Sequence, residues 1–380
     1  MAETLLPEHL VPIGINGSGR MAKVLLQHMM DGYGGPDPIP FLPKVVNFRS
    51  KRDIDPFSRD LEFDPVYGRS DYISSAKPMN GHYEKHRRLP GKFFEEGLQV
   101  VARSGLPTVL HLTAGDNPEL TEWSNFKVHT VFEATGSKAN PRMHVTEGGA
   151  KLAIVTAPFE DLPTFVSGVN DDELRMITAL RDPKGPAIAA SSCSTGAITT
   201  AFNTLLRGGI EITSATAEIT HARTQSDYVV DNNRGGSVFH THRNSTGAQK
   251  EVARILAENG YDIPFIADST RVLEQTGSVI TPSLVIRGAI TTDNIIEAMR
   301  EAIEAHKLRD HIAIEERHSP DSLFVKGRPE TVIIDAASIQ TVPMHGDTLA
   351  MFKGWFDNEW GYVANTLRLA TKAHQLMREM

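Results

Sequence analysis

The chain has 380 residues, long enough for about two domains with sizeable cores. Its 40% hydrophobic and 23% charged residues are ordinary for a globular protein, and a net charge of −8 gives no sign of a nucleic-acid partner. The single cysteine excludes an internal disulfide framework. No run reaches the roughly 18 apolar residues of a membrane span, and MAETLLPEHLVPIGING lacks the basic and apolar regions of a signal peptide. A cytoplasmic protein with no membrane partner is expected.

Residues 10–15 read as a short apolar strand. Asn16-Gly17-Ser18-Gly19-Arg20-Met21-Ala22 follows, in which Gly17, Gly19 and Ala22 form G-x-G-x-x-A. Helical spacing then begins at Met21, Val24, Leu25, His28 and Met29. Strand, glycine turn and helix are the context in which this pattern binds a dinucleotide. The glycines let the backbone approach the pyrophosphate, and the helix N-terminus offers N–H groups and positive potential.

Residues 32–43, rich in Gly and Pro, read as a surface loop. The second strand, 44–48, ends without the carboxylate that reads the ribose 2′-OH of NAD. Phe48 is followed by Arg49, Ser50, Lys51 and Arg52, a set suited to a 2′-phosphate. NAD or NADP is therefore the expected cofactor, with NADP favoured; Asp53 or Asp55 remain alternatives for the ribose.

Residues 57–69 read as a short helix and turn, 76–92 as an exposed loop or hairpin, 93–102 as a helix and 108–112 as a strand. A strand at 128–134 runs into Thr135-Gly136, then a helix at 140–148 and a strand at 151–156. This alternation predicts a doubly wound parallel sheet whose carboxyl edge carries Gly17, Phe48 and Thr135-Gly136.

Ser191-Ser192-Cys193-Ser194-Thr195-Gly196 precedes apolar residues at Ala197, Ile198, Ala201, Phe202, Leu205 and Leu206, which is one buried helical face. Cys193 then stands at a helix N-terminus, where the dipole and free N–H groups favour a thiolate nucleophile. The plainer reading is a small buried hydrophobe. From residue 210 long β-branched runs, with helices at 248–259 and 294–305, predict a mostly antiparallel sheet covered on one face. An amphipathic helix at 362–380 ends the chain. No metal site is assigned.

GINGSGR, FEATG, TAPFEDLPTFVSGVN, SSCST, ITHARTQ, NSTGAQK and WFDNEWGY occur in that order. They are similar to the landmarks of phosphorylating glyceraldehyde-3-phosphate dehydrogenase, and the chain resembles that family over nearly its whole length. The resemblance implies an α/β protein: a Rossmann-type dinucleotide-binding domain, residues 1–192 with the C-terminal helix 358–380, and an α+β catalytic domain, 193–357. It implies Cys193 as nucleophile and His221 as its paired base. Contacts to the dinucleotide fall on Asn16, Gly17, Ser18, Gly19, Arg20, Thr135 and Gly136, with Phe48, Arg49 and Ser50 at the second-strand tip. Asn358 would orient the nicotinamide amide, with Tyr362 beside it. Ser192, Ser194, Thr246 and Gly247 match the inorganic-phosphate pocket, and Thr224 a contact to the substrate phosphate. The implied reaction oxidises glyceraldehyde 3-phosphate to 1,3-bisphosphoglycerate through a cysteine thioester, in a homotetramer.

Departures from the family pattern concern selection of the aldehyde. Ser278 stands where a phosphate-binding arginine is usual, and the 222–245 loop is short; Arg223, Arg234 and Arg243 are candidate substitutes. Gly196 replaces an asparagine, and 31–43 and 78–92 carry insertions. The alternatives are the same chemistry on another aldehyde, such as erythrose 4-phosphate, and a non-catalytic regulatory homologue on the same fold.

Overall fold

The computed structural model describes residues 10–31, 41–48, 54–80, 92–103, 107–114, 122–223, 242–244 and 246–380. They divide into two compact units. The first is Met1–Thr164 with Asp172–Ala190 and Leu367–Met380; the second is Phe165–Asp171 with Ser191–Thr366.

The first unit contains β1 (Val11–Asn16), α1 (Arg20–Asp31), β2 (Phe41–Phe48), α2 (Ile54–Glu62), the two-residue strands β3 (Phe63–Asp64) and β4 (Gly68–Arg69), β5 (Ile73–Asn80), β6 (Lys92–Ala102), β7 (Pro107–Ala114), β8 (Thr130–Glu133), α3 (Met143–Thr146), β9 (Leu152–Val155), α4 (Glu173–Leu180) and β10 (Ala187–Ala189). Eight strands form one sheet in the order β10-β9-β8-β1-β2-β7-β6-β5. β1 lies inside the sheet: Val11, Ile13 and Ile15 are buried on one face, and on the other Gly14 lies against the ring of Trp123. β2 and β8 flank β1 in parallel, in registers that bring Asn47 and Glu133 level with Asn16. Three polar side chains therefore meet at the carboxyl ends of three adjacent strands.

The sheet is not parallel throughout. Residues 93–102, expected to be helical, form β6, antiparallel to both β5 and β7. Its apolar residues beat with period two: Leu98, Val100 and Ala102 are buried, while Gln99 and Val101 between them are half-buried. The 76–92 loop also begins later than expected, since 76–80 complete β5, and 81–91 lie outside the described residues. β2 starts at Phe41 rather than 44. The helix expected at 140–148 is the single turn α3.

The second unit contains α5 (Cys193–Arg207), β11 (Ile212–His221), β12 (His242–Asn244), α6 (Ala248–Glu258), β13 (Phe265–Arg271), β14 (Ser278–Ile286), α7 (Thr292–Ala305), β15 (Ile312–Glu315), β16 (Val332–Met344) and β17 (Asp347–Phe356). Seven strands run in the order β12-β13-β11-β14-β17-β16-β15. β11 is antiparallel to β14 but parallel to β13, so the sheet is mixed. Its core joins Ile198, Phe202 and Leu205 of α5, Val252 and Leu256 of α6, and Ile295 and Met299 of α7 to Ile219, Ile280, Leu284, Ile334 and Phe352 of the strands. α5 is thus anchored along its length, which holds its N-terminal residue, Cys193, in place. α8 (Trp360–Glu379) begins in the second unit and is assigned to the first from Leu367.

Candidate active site

α5 begins where Ser192 leaves helical geometry: its Oγ accepts from Thr195 N at 3.2 Å, a serine N-cap. Cys193 is the next residue and is half-buried. Across from it β11 ends at His221, and Cys193 Sγ lies 3.4 Å from His221 Nε2. The ring's other nitrogen, Nδ1, is 2.6 Å from the Ala222 carbonyl oxygen and 2.5 Å from Arg271 Nη1. Arg271 reaches this point because β13 pairs with β11 residue for residue, Arg271 beside His221.

Ser278, at the start of β14, accepts from Ala222 N at 3.0 Å and donates to Asn358 Oδ1 at 3.2 Å. The serine in the place of the usual arginine therefore links the residue after the histidine to the nicotinamide-orienting asparagine of the resemblance. Asn358 itself is buried.

Behind Cys193, Ser191 adopts a left-handed φ of 59°. It is held from two sides: Tyr362 donates from its hydroxyl to Ser191 O at 3.2 Å, and Ser191 Oγ donates to Glu251 Oε2 at 2.9 Å. Burial raises the Glu251 carboxyl above its usual range, against hydrogen bonds from Thr195 and Ser191. Burial likewise pushes the Tyr362 hydroxyl well up.

The Cys193 thiol is also raised. Burial outweighs the Ser194 hydrogen bonds and the charge of Arg271, which pull the other way. This burial acts against the helix-terminus effect expected from the sequence.

Of the phosphate-pocket residues, Ser194 Oγ is 4.0 Å from the sulfur, and Ser192 is occupied as the cap, also donating to Thr195 Oγ1 at 2.9 Å. Thr246 Oγ1 accepts from Ala248 N at 3.1 Å in the first turn of α6, and Gly247 is the exposed residue at its start. Thr224 lies outside the described residues.

In the first unit the glycine turn joins β1 to α1. Gly17 has φ of 119°, and a Cβ there would stand 3.0 Å from the carbonyl carbon and oxygen of Ala134, so the position admits only glycine. Ser18 and Gly19 are half-exposed at the start of α1, and Arg20 is ion-paired to buried Asp64 under the ring of Tyr67. The turn thus packs its backbone directly against the end of β8, at the start of α1.

The turn is braced by a buried chain of hydrogen bonds. Thr113 Oγ1 donates to Asn47 Oδ1 (2.9 Å), Asn47 Nδ2 to Asn16 Oδ1 (2.7 Å), and Asn16 Nδ2 to Glu133 Oε2 (2.5 Å). Trp123 Nε1 donates to His144 Nδ1 at 3.0 Å, so His144 turns its Nε2–H to Glu133 Oε2 at 2.8 Å. Thr135 donates to Glu133 Oε1 through its N–H at 2.8 Å and through its hydroxyl. Burial would raise the Glu133 carboxyl, but the hydrogen bonds from His144, Thr135 and Asn16 together hold it below its usual range. Gly136, with φ of 68°, turns the chain away after Thr135.

Phe48 does not line this edge with its side chain, which is fully buried edge-on against Phe57 at 5.0 Å. Arg49 and Ser50 lie outside the described residues. Residues that sequence reasoning missed are Glu133, His144 and Trp123 in the first unit and Ser191, Glu251 and Arg271 in the second. Only strand register and helix packing bring them together.

Fold and site together define a class: a Rossmann-type α/β chain with a glycine turn in one unit and a cysteine–histidine pair at a helix N-terminus in the other. No protein-family model matches the chain. Its sequence is 28% identical over 371 residues to "Glyceraldehyde-3-phosphate dehydrogenase, cytosolic" of Chlamydomonas reinhardtii, covering 95% of this chain and 96% of the relative. It is 25% identical over 378 residues to "Glyceraldehyde-3-phosphate dehydrogenase 2" of Agaricus bisporus, covering 96% and 98%. The Lactococcus lactis protein of that name is 25% identical over 372 residues, covering 94% and 97%. These similarities support a divergent glyceraldehyde-3-phosphate dehydrogenase-like chain and, at that level, an oxidoreductase. Among the described residues, no helix is long and apolar enough to cross a membrane.

Proposed function

We propose that the protein is an NAD(P)-dependent phosphorylating aldehyde dehydrogenase acting on glyceraldehyde 3-phosphate. The observation that carries this reading is the 3.4 Å approach of Cys193 Sγ to His221 Nε2 at the N-terminus of α5. Cys193 adds to the aldehyde carbon as His221 takes the thiol proton, giving a hemithioacetal. The Cys193 backbone N–H steadies the developing oxyanion. When bound, NAD(P) would supply the acceptor for the hydride of the hemithioacetal carbon, whose loss leaves a thioester on Cys193. Ser194, Thr246 and the N-terminal amides of α6 bring inorganic phosphate to the thioester. Phosphate attack releases 1,3-bisphosphoglycerate and the Cys193 sulfur.

In the first unit Asn16, Gly17, Ser18, Gly19, Arg20, Thr135 and Gly136 would hold the dinucleotide. In the second, Asn358, fixed by Ser278, would orient the nicotinamide amide beside Tyr362. NADP is the favoured form, on the cations after β2. A homotetramer fits Val342 and Leu349, which pair across β16 and β17 and are 58% and 41% exposed.

Steady-state oxidation of glyceraldehyde 3-phosphate with NAD and with NADP, with Cys193→Ser as control, tests the reading. The expected result is phosphate-dependent turnover that the serine variant lacks. A second reading, the same chemistry on another aldehyde such as erythrose 4-phosphate, is favoured by the Ser278 replacement. An aldehyde panel with and without phosphate groups separates the two, and equal rates with phosphate-free aldehydes would sink the first.

A further inference from the structure

Arg271 Nη1 touches both His221 Nδ1, at 2.5 Å, and Ala222 O, at 2.7 Å. A guanidinium nitrogen donates and has no acceptor capacity. Its approach to Nδ1 is attractive only when that nitrogen presents its lone pair. With Arg271 as its partner Nδ1 keeps its lone pair and the ring hydrogen sits on Nε2, facing the sulfur, a form that cannot receive the thiol proton; with Ala222 O as its partner Nδ1 carries the hydrogen, so the two contacts compete for one nitrogen. The other tautomer is poised, because Nδ1 is 2.6 Å from the Ala222 oxygen and would donate to it once the guanidinium withdrew.

A second observation concerns substrate. The Ser278 hydroxyl is committed to Ala222 N and Asn358 Oδ1, so β14 offers no cation at the position where the resemblance leads one to expect it. Arg271, on the neighbouring strand, is the cation whose charge is felt at Cys193.

We propose that Arg271 is both the receptor for the anionic group of the aldehyde and a latch on His221. The substrate's phosphate, or another oxyanion in its place, draws the guanidinium off Nδ1. The ring then exchanges its Nε2 hydrogen for one on Nδ1, with no net change in protonation. Nδ1–H donates to Ala222 O, and Nε2 becomes the base for Cys193. Arg271 is in this sense a positioning and specificity residue: aldehydes without an anionic group leave the latch closed. The proposal rests on the reading of Cys193 and His221 given above.

The test is alkylation of Cys193 by iodoacetamide at neutral pH, with inorganic phosphate as probe against chloride at matched ionic strength. In the wild type, phosphate is expected to accelerate alkylation roughly fivefold or more, the scale of a shift between two populated states. Arg271→Leu is expected to react without phosphate at least as fast as the ligand-free wild type and to show no acceleration. Arg271→Lys, which keeps the charge but not the planar fork, should respond more weakly than wild type, and it carries the test if the leucine variant fails to fold by circular dichroism. A wild type indifferent to phosphate overturns the proposal. So does a leucine variant that still responds, a lysine variant that responds fully, or a leucine variant slower than the ligand-free wild type, which would make Arg271 a fixed support for the thiolate. Alkylation needs no turnover. A failed latch leaves the dehydrogenase reading standing, and a failed aldehyde assay leaves the latch measurable.

Discussion

Glu133 and Glu251 are buried carboxyls, 4% and 9% exposed, one in each unit, and their surroundings drive them in opposite directions. Glu133 receives donors from Asn16, His144 and twice from Thr135, and is held below the usual carboxylate range. Glu251 receives the hydroxyls of Thr195 and Ser191 and the more distant charge of Arg254, and burial outweighs them and raises it. Amide and imidazole N–H groups can only donate, so they demand an anion. Hydroxyls both donate and accept, so they tolerate a neutral acid equally well. The first unit thereby gains a fixed anion bracing its glycine turn. The second props Ser191 with a carboxyl whose partners suit either protonation state.

The sharpest way to break this contrast is Glu133→Ala. Stranding several buried donors is expected to cost about 3 kcal/mol or more, read from the urea midpoint; a loss below about 1 kcal/mol would mean the network is not charged. Glu133→Gln keeps the shape but sets an NH₂ against donors, and about 2 kcal/mol is expected. Its pH dependence is more telling. A carboxyl lowered on folding adds stability that is present above its unfolded value of 4.5 and lost as pH falls through the folded one, so the glutamine variant should lack that part of the acid loss.

Glu251→Gln should act with the opposite sign. A raised carboxyl adds stability present below 4.5 and lost as pH rises through its folded value. The variant is therefore expected to gain on the wild type, by about 1 kcal/mol, as pH rises towards neutrality. Melting curves across that range read it, and a parallel offset at all pH values would argue that Glu251 is ionised throughout. A separate test lies at His129, lowered to about 4 by burial, His374 and Lys151. Its contribution is complete above 6.5 and is lost as pH falls towards about 4. His129→Asn should flatten the stability profile in that window, and an unchanged slope would show that the ring is solvated.

Much of the fold was legible because its signals are local: G-x-G-x-x-A between a strand and a helix, the capped stretch around Cys193, and the β-branched runs after residue 210. Residues 93–102 were misread because Phe93, Gly97, Leu98 and Val101 also satisfy helical spacing; antiparallel pairing to β5 and β7 decided the matter. The position of Cys193 at the start of α5 was readable, but the state of its thiol was not, since burial comes from helices and strands far along the chain. Phe48 stood at the right place in sequence, yet its side chain turned into the core. Arg271 and Glu251 carried no signal at all: one depends on the register of β13 against β11, the other on how α6 packs beneath a residue 60 positions earlier.

Ser278 has a consequence for how this protein's specificity can change. It is 1% exposed, and its one hydroxyl serves both the chain after His221 and the side chain of Asn358. An arginine restored there would strand Ala222 N and Asn358 together and force a guanidinium into a space with no room for it. Reversion is therefore closed as a single step, and the cation beside His221 is Arg271 on the neighbouring strand. The serine thereby shifts the tuning of substrate from β14 to β13.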